Sequence, residues 1–435
     1  MNKFLYLLSI LSFVCFQALT AQELLTSEKA VSFALEKNYD IILAKSQADI
    51  ANIYNSAATA GMLPKINATA GDAFNLNNIN QKFTTGQEVK KDWVPINNFN
   101  AGVNLDWTIF DGLKMFATKD RLEALAAVGD LQLKDKIQNT VASVLNAYYD
   151  IVRLQQQLKA FNTSLSISEE RVKLTQQKFD IGYSDKTPLL QAKVDDAQMR
   201  INILKQKNAI EQSKISLNQL LGRSADIDFD VIDTIVVNYH PQLLQLKDSM
   251  MRTNFSIQSA YKNIDIANFQ RKEISAQRLP LVKLNTGYAF SQNNSKAGLV
   301  LYNQSYGPSL GLNANIPLFS GGIVKKQLQA SSINIAGQKV QLNKIKNDLD
   351  ATLSAAYKNY TYAQNMLALN EENVKLSEEN VSITLNRFRL NQSNSVEMKQ
   401  AQGSYEDALY NLILARYNAK IAEIELKKLS NDLLK

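Results

Sequence analysis

The chain lacks most of what enzymes use for chemistry. It has one cysteine, Cys15, and one histidine, His240. A single cysteine excludes disulfides within the chain and thiolate metal sites, and a single histidine removes the usual zinc ligand sets. No Gly-rich phosphate loop is present. Asp195-Asp196 and Glu169-Glu170 are adjacent pairs on predicted helices, with side chains about 100° apart, so they read as surface charge and not as an acid–base pair. His240, beside Pro241, reads as a linker residue. No catalytic residue, metal or cofactor is expected, and no enzymatic activity. Breakers are scarce too: 7 prolines and 16 glycines in 435 residues favour long uninterrupted helices. Beyond the N-terminal segment no apolar run approaches the roughly 18 residues a spanning helix needs. Membrane entry, if it occurs, is therefore by β-barrel.

What is present begins with a secretory signal over residues 1–21. Lys3 supplies the positive end, Phe4 to Leu19 the apolar stretch, and Ala18-Leu19-Thr20-Ala21 a small-residue cleavage site before Gln22. A membrane anchor is the rival reading, but the stretch is short and polar sequence follows. Cys15 lies inside it, preceded by Val14, where a lipoprotein signal wants a small residue. The net charge of +7 is spread along the chain, as solvated helix faces require, with no basic cluster for nucleic acid.

The chain is also a repeat. Asp49-Ile50-Ala51-Asn52 recurs as Asp265-Ile266-Ala267-Asn268, Leu63-Pro64 as Leu279-Pro280, and Gly71 as Gly287, all at an offset of 216. Gly102 matches Gly311, Phe110 and Gly112 match Phe319 and Gly321, Ala147-Tyr148 matches Ala356-Tyr357, and Phe179 matches Phe388, at 209. The first repeat covers 22–222 and the second 241–435, with a connecting segment over 223–240. Each opens with an amphipathic helix, capped in the first copy by Thr26, which ends before the Leu-Pro pair.

Two strands follow in each copy, expected over 66–76 and 100–110, then 281–291 and 309–318. Ala101, Val103, Leu105, Trp107 and Ile109 alternate with Asn100, Gly102, Asn104, Asp106 and Thr108. Leu310, Leu312, Ala314, Ile316 and Leu318 alternate likewise with small polar residues. Asp72 mars the pattern in the first strand. One apolar and one small-polar face suit lipid outside and water inside; a half-buried soluble sheet shows the same alternation. Asn77 to Asn98 and Gln292 to Gly307 are rich in Asn, Gln, Ser and Gly and read as surface loops.

Long helical hairpins complete each copy, over 113–221 and 322–433. Ile137, Val141, Val144, Tyr148, Ile151 and Leu158 step as in a coiled seam. Each hairpin reverses in a short break, at Gly182 to Pro188 and at Asn391 to Ser395. Four strands per chain cannot close a barrel alone. Three chains would supply 12 strands and room for a pore, whereas eight fill their interior.

The order of these motifs, doubled, resembles the TolC-like outer-membrane efflux protein family over essentially the whole mature chain. Leu25-Thr26 and Ala34-Leu35-Glu36-Lys37-Asn38 match its first helix, and Leu63-Pro64 and Leu279-Pro280 its approach to the strands. Ile109-Phe110-Asp111-Gly112 and Pro317-Leu318-Phe319-Ser320-Gly321-Gly322 look like its strand-to-helix turns. Phe179 through Gly182 with Ser184, Leu189, Leu190 and Ala192 look like its helix tip, and Leu217 through Gly222 its helix end. The resemblance implies an α+β membrane protein. A homotrimeric 12-stranded β-barrel in the outer membrane would continue as an α-helical coiled-coil barrel in the periplasm. It further implies a conduit for efflux or type I secretion, docking a periplasmic adaptor and through it an inner-membrane transporter. The docking turns would be Gly182-Tyr183-Ser184 and Asn391-Gln392-Ser393, with Asn in place of the second glycine. Glu397 would stand where the family narrows its tunnel, three copies forming an anionic ring; the plainer reading is a solvated helix residue. The competing function is a periplasmic coiled-coil scaffold without channel activity.

Overall fold

The computed structural model describes residues 23–298 and 300–433; the expected signal segment lies outside the described residues. Strand β1 (Glu23–Leu25) and helices α1 (Ser27–Lys37) and α2 (Tyr39–Tyr54) lead into β2 (Lys65–Lys82) and β3 (Glu88–Phe110). The long helices α3 (Lys114–Asp180) and α4 (Lys186–Leu220) follow. The connecting segment holds β4 (Phe229–Val231), and the second copy then runs α5 (Leu243–Thr253), α6 (Phe255–Ala276), β5 (Leu281–Ser295), β6 (Tyr302–Asn315), α7 (Ile323–Arg389) and α8 (Ser395–Leu429). The chain divides into two compact units, each taking part of both repeats. One is helical, built from residues up to Lys45, Leu133–Ile257 and Lys346 onward; the other, Ser46–Gln132 and Gln258–Ile345, contains the sheet.

In the helical unit, Thr26 Oγ1 accepts the Lys29 N–H at 3.2 Å, as the capping reading expects. The single opening helix of each copy is in fact two. Asn38 Oδ1 takes the N–H groups of Asp40 and Ile41 at 2.9 and 3.1 Å, and Asn254 does the same for Ser256 and Ile257. An asparagine side chain here caps a new helix and ends the old one. The connecting segment is likewise more than a linker, because β4 pairs in parallel with β1. Tyr148 fastens this pair: its hydroxyl donates to Leu25 O at 3.1 Å and accepts the Ile232 N–H at 3.2 Å. Around it, Leu25, Val144, Ile151, Leu217, Leu221 and Phe229 form a core closed to solvent. Smaller cores gather Met250, Leu353 and Leu426, and Phe388, Met398 and Tyr405.

The copies solve one backbone problem in two ways. Gly222, at φ +66°, lies so close to Lys37 that a Cβ would meet the carbonyl oxygen at 2.3 Å. The corresponding Asn431, at φ +59°, instead donates its side-chain amide to the carbonyl of Thr253, the repeat partner of Lys37. Both residues adopt the left-handed conformation that ends a helix.

The sheet unit carries one antiparallel sheet in the order β2-β3-β5-β6. Its strands outrun expectation. β2 and β3 stay paired to Lys82↔Glu88, so most of the expected loop 77–98 is ladder. The hydrophobic alternation is irregular there, with Ile79, Val89, Trp93, Val94 and Ile96 scattered among polar residues, but backbone pairing needs no alternation. β5 and β6 extend to Asn294↔Tyr302, and β6 stops at Asn315, short of the expected 318, where Pro317 has no N–H to donate.

Candidate functional site

The sheet presents two unlike faces, and register assigns every residue to one of them. Residues directly opposite share a face. Along one face run the rows Trp107–Leu284–Leu312, Ile66–Leu105–Thr286–Leu310, Ala68–Val103–Tyr288–Pro308 and Ala70–Ala101–Phe290–Tyr306. The other carries Asn67–Asn104–Gly287–Ser309, Thr69–Gly102–Ala289–Gly307, Gly71–Asn100–Ser291–Ser305 and Ala73–Asn98–Asn293–Asn303. Hydrogen bonds lace the polar face: Ser291 Oγ donates to Asn100 Oδ1 at 2.8 Å, and Asn293 pairs with Asn98 and Asn285 with Asp106.

The apolar face is uncovered. Leu310 is 78% exposed and Ile66 66%, more contiguous apolar surface than a water-soluble sheet leaves bare. Asp72, the flaw in the sequence pattern, falls in the row Asp72–Phe99–Gln292–Gln304, which interrupts the apolar face before Phe74 and Tyr302 in the next row. From Trp107 to Phe99 is about 27 Å along the strand, or about 20 Å of height at a tilt of about 40°. β2 and β6 each have one unpaired edge in this sheet. Trp107 is pinned by its indole N–H to Met62 O at 2.8 Å.

In the helical unit the two predicted tip turns come together. At the first, Gly182 has φ +73°, and the N–H groups of Tyr183 and Ser184 return to Lys178 O at 2.8 and 3.3 Å. At the second, Asn391 has φ +60°, and the Gln392 N–H returns to Arg387 O at 2.7 Å. These are equivalent helix-ending turns, with Asn tolerated where glycine is the default. Lys178 joins them. Its Nζ donates to Phe388 O at 2.7 Å and stands 3.6 Å from the Phe388 ring centroid, a cation–π contact. Burial holds its ammonium below the usual lysine range. Tyr183, Ser184, Gln392, Ser393 and Glu397 line one cavity of about 430 Å³ beside this contact.

Glu397 has a local task. Asn394 caps α8, its Oδ1 accepting the N–H groups of Val396 and Glu397, both at 2.9 Å. The Glu397 carboxylate reaches back to accept from Asn394 Nδ2 at 3.0 Å and Ser393 Oγ at 2.7 Å. The carboxylate thus braces the side chain that caps the helix.

Beyond the tip lies a network the sequence reading missed by treating its acids as surface charge. Arg171, 2% exposed, donates to Asp195 Oδ2 at 2.5 Å, and Lys399 reaches Asp195 Oδ1 at 2.9 Å. One carboxylate thus ties α3, α4 and α8. Partial burial raises the Asp195 pKa, but Lys399, Gln191 and Arg171 outweigh it and hold the group below the usual range. Glu406 on α8 goes the other way: burial raises it, against hydrogen bonds from Gln402 and Ser164 and the nearby Arg171. The remaining acids serve similarly, Glu169 and Asp196 on Arg200 and Glu170 on Arg389. Their only sequence signal was the adjacent spacing, which turns Glu169 toward α4 and Glu170 toward α7, and Asp195 toward α3 and α8 while Asp196 stays on Arg200 of its own helix. His240 is exposed in the segment before α5. Among the described residues no cluster of acids or histidine suits a metal ion, and no helix is long and apolar enough to cross a membrane.

Known proteins share this layout. The TolC outer membrane protein of Vibrio cholerae serotype O1 is 21% identical over 91% of this chain and 88% of its own. The proteases secretion protein PrtF of Dickeya chrysanthemi is 19% identical over 72% and 68%. Among solved structures, the outer-membrane channel OprN superposes with a TM-score of 0.76 at 16% identity, covering 93% of this chain and 90% of that one. The family model of outer membrane efflux proteins matches 30–223 and, again, 247–432. Its two segments follow the two repeats, and the chain belongs to the outer membrane efflux protein family.

Proposed function

We propose that three copies of this chain form one outer-membrane channel. Their sheets close a 12-stranded β-barrel, and the long helices continue it as a coiled-coil barrel in the periplasm. The protein is the outer-membrane component of an efflux or type I secretion pathway. It conducts passively what an inner-membrane transporter delivers through a periplasmic adaptor. The observation that carries this is the exposed apolar face of β2-β3-β5-β6, backed by a polar face of amides, hydroxyls and glycines. Lipid covers the first and water wets the second. The open edges of β2 and β6 must be paired in hydrocarbon, and pairing β6 of one copy with β2 of the next ends after three copies with room for a pore.

The turns Gly182-Tyr183-Ser184 and Asn391-Gln392-Ser393 are the adaptor-docking surface in this reading. They end the helical hairpins and line a common cavity. Glu397 beside them supplies the constriction charge, three carboxylates forming a ring that favours cations.

The test is fractionation followed by conductance. The mature protein should resist extraction by high salt, enter detergent, and produce discrete steps of current in planar bilayers. Release by salt alone would leave the scaffold reading standing and remove the channel.

A further inference from the structure

Where its strands meet its helices, the sheet unit holds a cavity of about 740 Å³, a size that takes a drug-like ligand. Thr108 and Lys283, opposite each other on β3 and β5, border it, as do Leu281 and Asn315 on β5 and β6. Register puts all four on the polar face of the sheet. The start of α3 and the end of α6 complete the walls.

The cavity is lined by three cations, and its two acids are already engaged. Asp111 accepts the Met115 N–H at 2.9 Å, and Glu273 accepts from Arg121 Nε at 2.8 Å. That second bond anchors an arginine side chain only 25% exposed, and it leaves both terminal amino groups of the guanidinium without a protein partner. Lys114 and Lys283 also line the cavity, and among the described residues neither is held in an ion pair. Leu279, Leu281 and Pro317 add an apolar wall. Charge on the polar face is gathered at this end. The two rows nearest the helices, Lys65–Asp106–Asn285–Gly311 and Thr108–Lys283–Asn313, carry it, with Asp106 already bonded to Asn285. From Asn67–Asn104–Gly287–Ser309 out to the pair Asn77–Val94, no residue of that face is charged.

We propose that this cavity binds an amphipathic organic anion. The terminal amino groups of Arg121 form a planar fork that fits a carboxylate with two parallel hydrogen bonds. Lys114 and Lys283 add positive charge beside it, and the apolar body of the ligand rests on Leu279, Leu281 and Pro317. For its place on a transport path the proposal rests on the trimeric channel reading. Three such cavities then ring the water-filled passage at the base of the barrel, and an organic anion pauses there before an uncharged route outward. The class of substrate follows: a carboxylate on an apolar body of drug size.

Dansylglycine, a fluorescent carboxylate, and dansylamide, which has the same rings and no charge, are the probes. Followed by anisotropy with the purified protein in detergent, dansylglycine should saturate at one site per chain. Dansylamide should bind at least about tenfold more weakly, the loss of a charge-assisted hydrogen bond. Arg121→Lys keeps the charge beside Glu273 but removes the fork, and should weaken dansylglycine by about tenfold. Lys114→Gln and Lys283→Gln, at exposed positions, should each weaken it by about two- to fivefold. None of the three should alter dansylamide, and Lys90→Gln, at the far end of β3, should alter neither probe. Equal binding of both probes by the parent would overturn the site. So would unchanged dansylglycine binding in Arg121→Lys and in the double variant Lys114→Gln with Lys283→Gln. Planar bilayers separate this from the channel itself. Normal current steps without a carboxylate preference would remove the site and keep the channel, whereas carboxylate binding by chains that pass no current would do the reverse.

Discussion

At the turn between α7 and α8, Asn391 takes the left-handed conformation that Gly182 takes in the first copy, and Asn431 repeats the exchange for Gly222. The first exchange is readable from the sequence, because few side chains tolerate that region of backbone space; the second shows in the structure, where Asn431 has φ +59°. The Lys178–Phe388 contact is not readable from the sequence, since it depends on how two hairpins distant in sequence pack. Glu397 shows how one residue can satisfy two readings. Its carboxylate completes the α8 cap, and by position it is the proposed ring charge. Substitution separates them: Glu397→Ala and Glu397→Gln both remove the charge, but Gln keeps acceptor and shape for the cap. Ala alone should destabilise the start of α8, by about 0.5–1.5 kcal/mol on the scale of one lost hydrogen bond, read as a lower unfolding temperature. Both should weaken block of the channel by divalent cations, and unchanged currents in both would dismiss the ring.

Among elements, the long helices were plain in the sequence and their ends nearly so. Scarce breakers and seven-residue periodicity are local signals that survive without tertiary information. What stayed hidden was non-local. β4 is three residues whose partner lies some 200 positions away, and the helix break at Asn38 is a side-chain cap that weighs little in a periodicity count. The strand extensions were missed because past Asp72 and Gln304 the apolar residues, such as Phe74, Leu76 and Trp93, are too widely mixed with Asn, Gln and Lys to show an alternation. The Arg171–Asp195–Lys399 tie between helices has a testable pH signature. Asp195 is held below the usual range, so its contribution is present above the ordinary carboxylate pKa and lost as pH falls through the depressed value. Glu406 is raised, so its charged form penalises the fold above that raised pKa, and acidification relieves the penalty. Asp195→Asn should therefore lower the thermal midpoint at pH 7.5, and Glu406→Gln should raise it. Both differences should shrink as the medium is acidified, and midpoint shifts of the same sign would refute the assignment.

For the whole molecule, the proposed division of labour gives the sheet to lipid and the helix tips to the adaptor. Gly182 tests the second half of that statement. A Cβ there would touch nothing within 4 Å, so the cost of a side chain is backbone strain of about 1–2 kcal/mol, which Asn and Asp moderate. Gly182→Asp and Ser184→Arg should abolish export while trimers persist in detergent, and Gly182→Asn, which copies the second turn, should fold as the parent does. Normal export by the first two variants would move the docking surface elsewhere. The pairing of β3 with β5 has a further bearing on how the protein is made. Residues joined across it, such as Asn97 and Asn294, are nearly 200 positions apart, and β5 must in turn wait for β6. A chain being threaded across the inner membrane thus has no completed sheet to offer the outer membrane until about three quarters of it has been delivered. Until then the inner edge of β3 has no partner, so the second repeat decides when the sheet begun by the first can be completed.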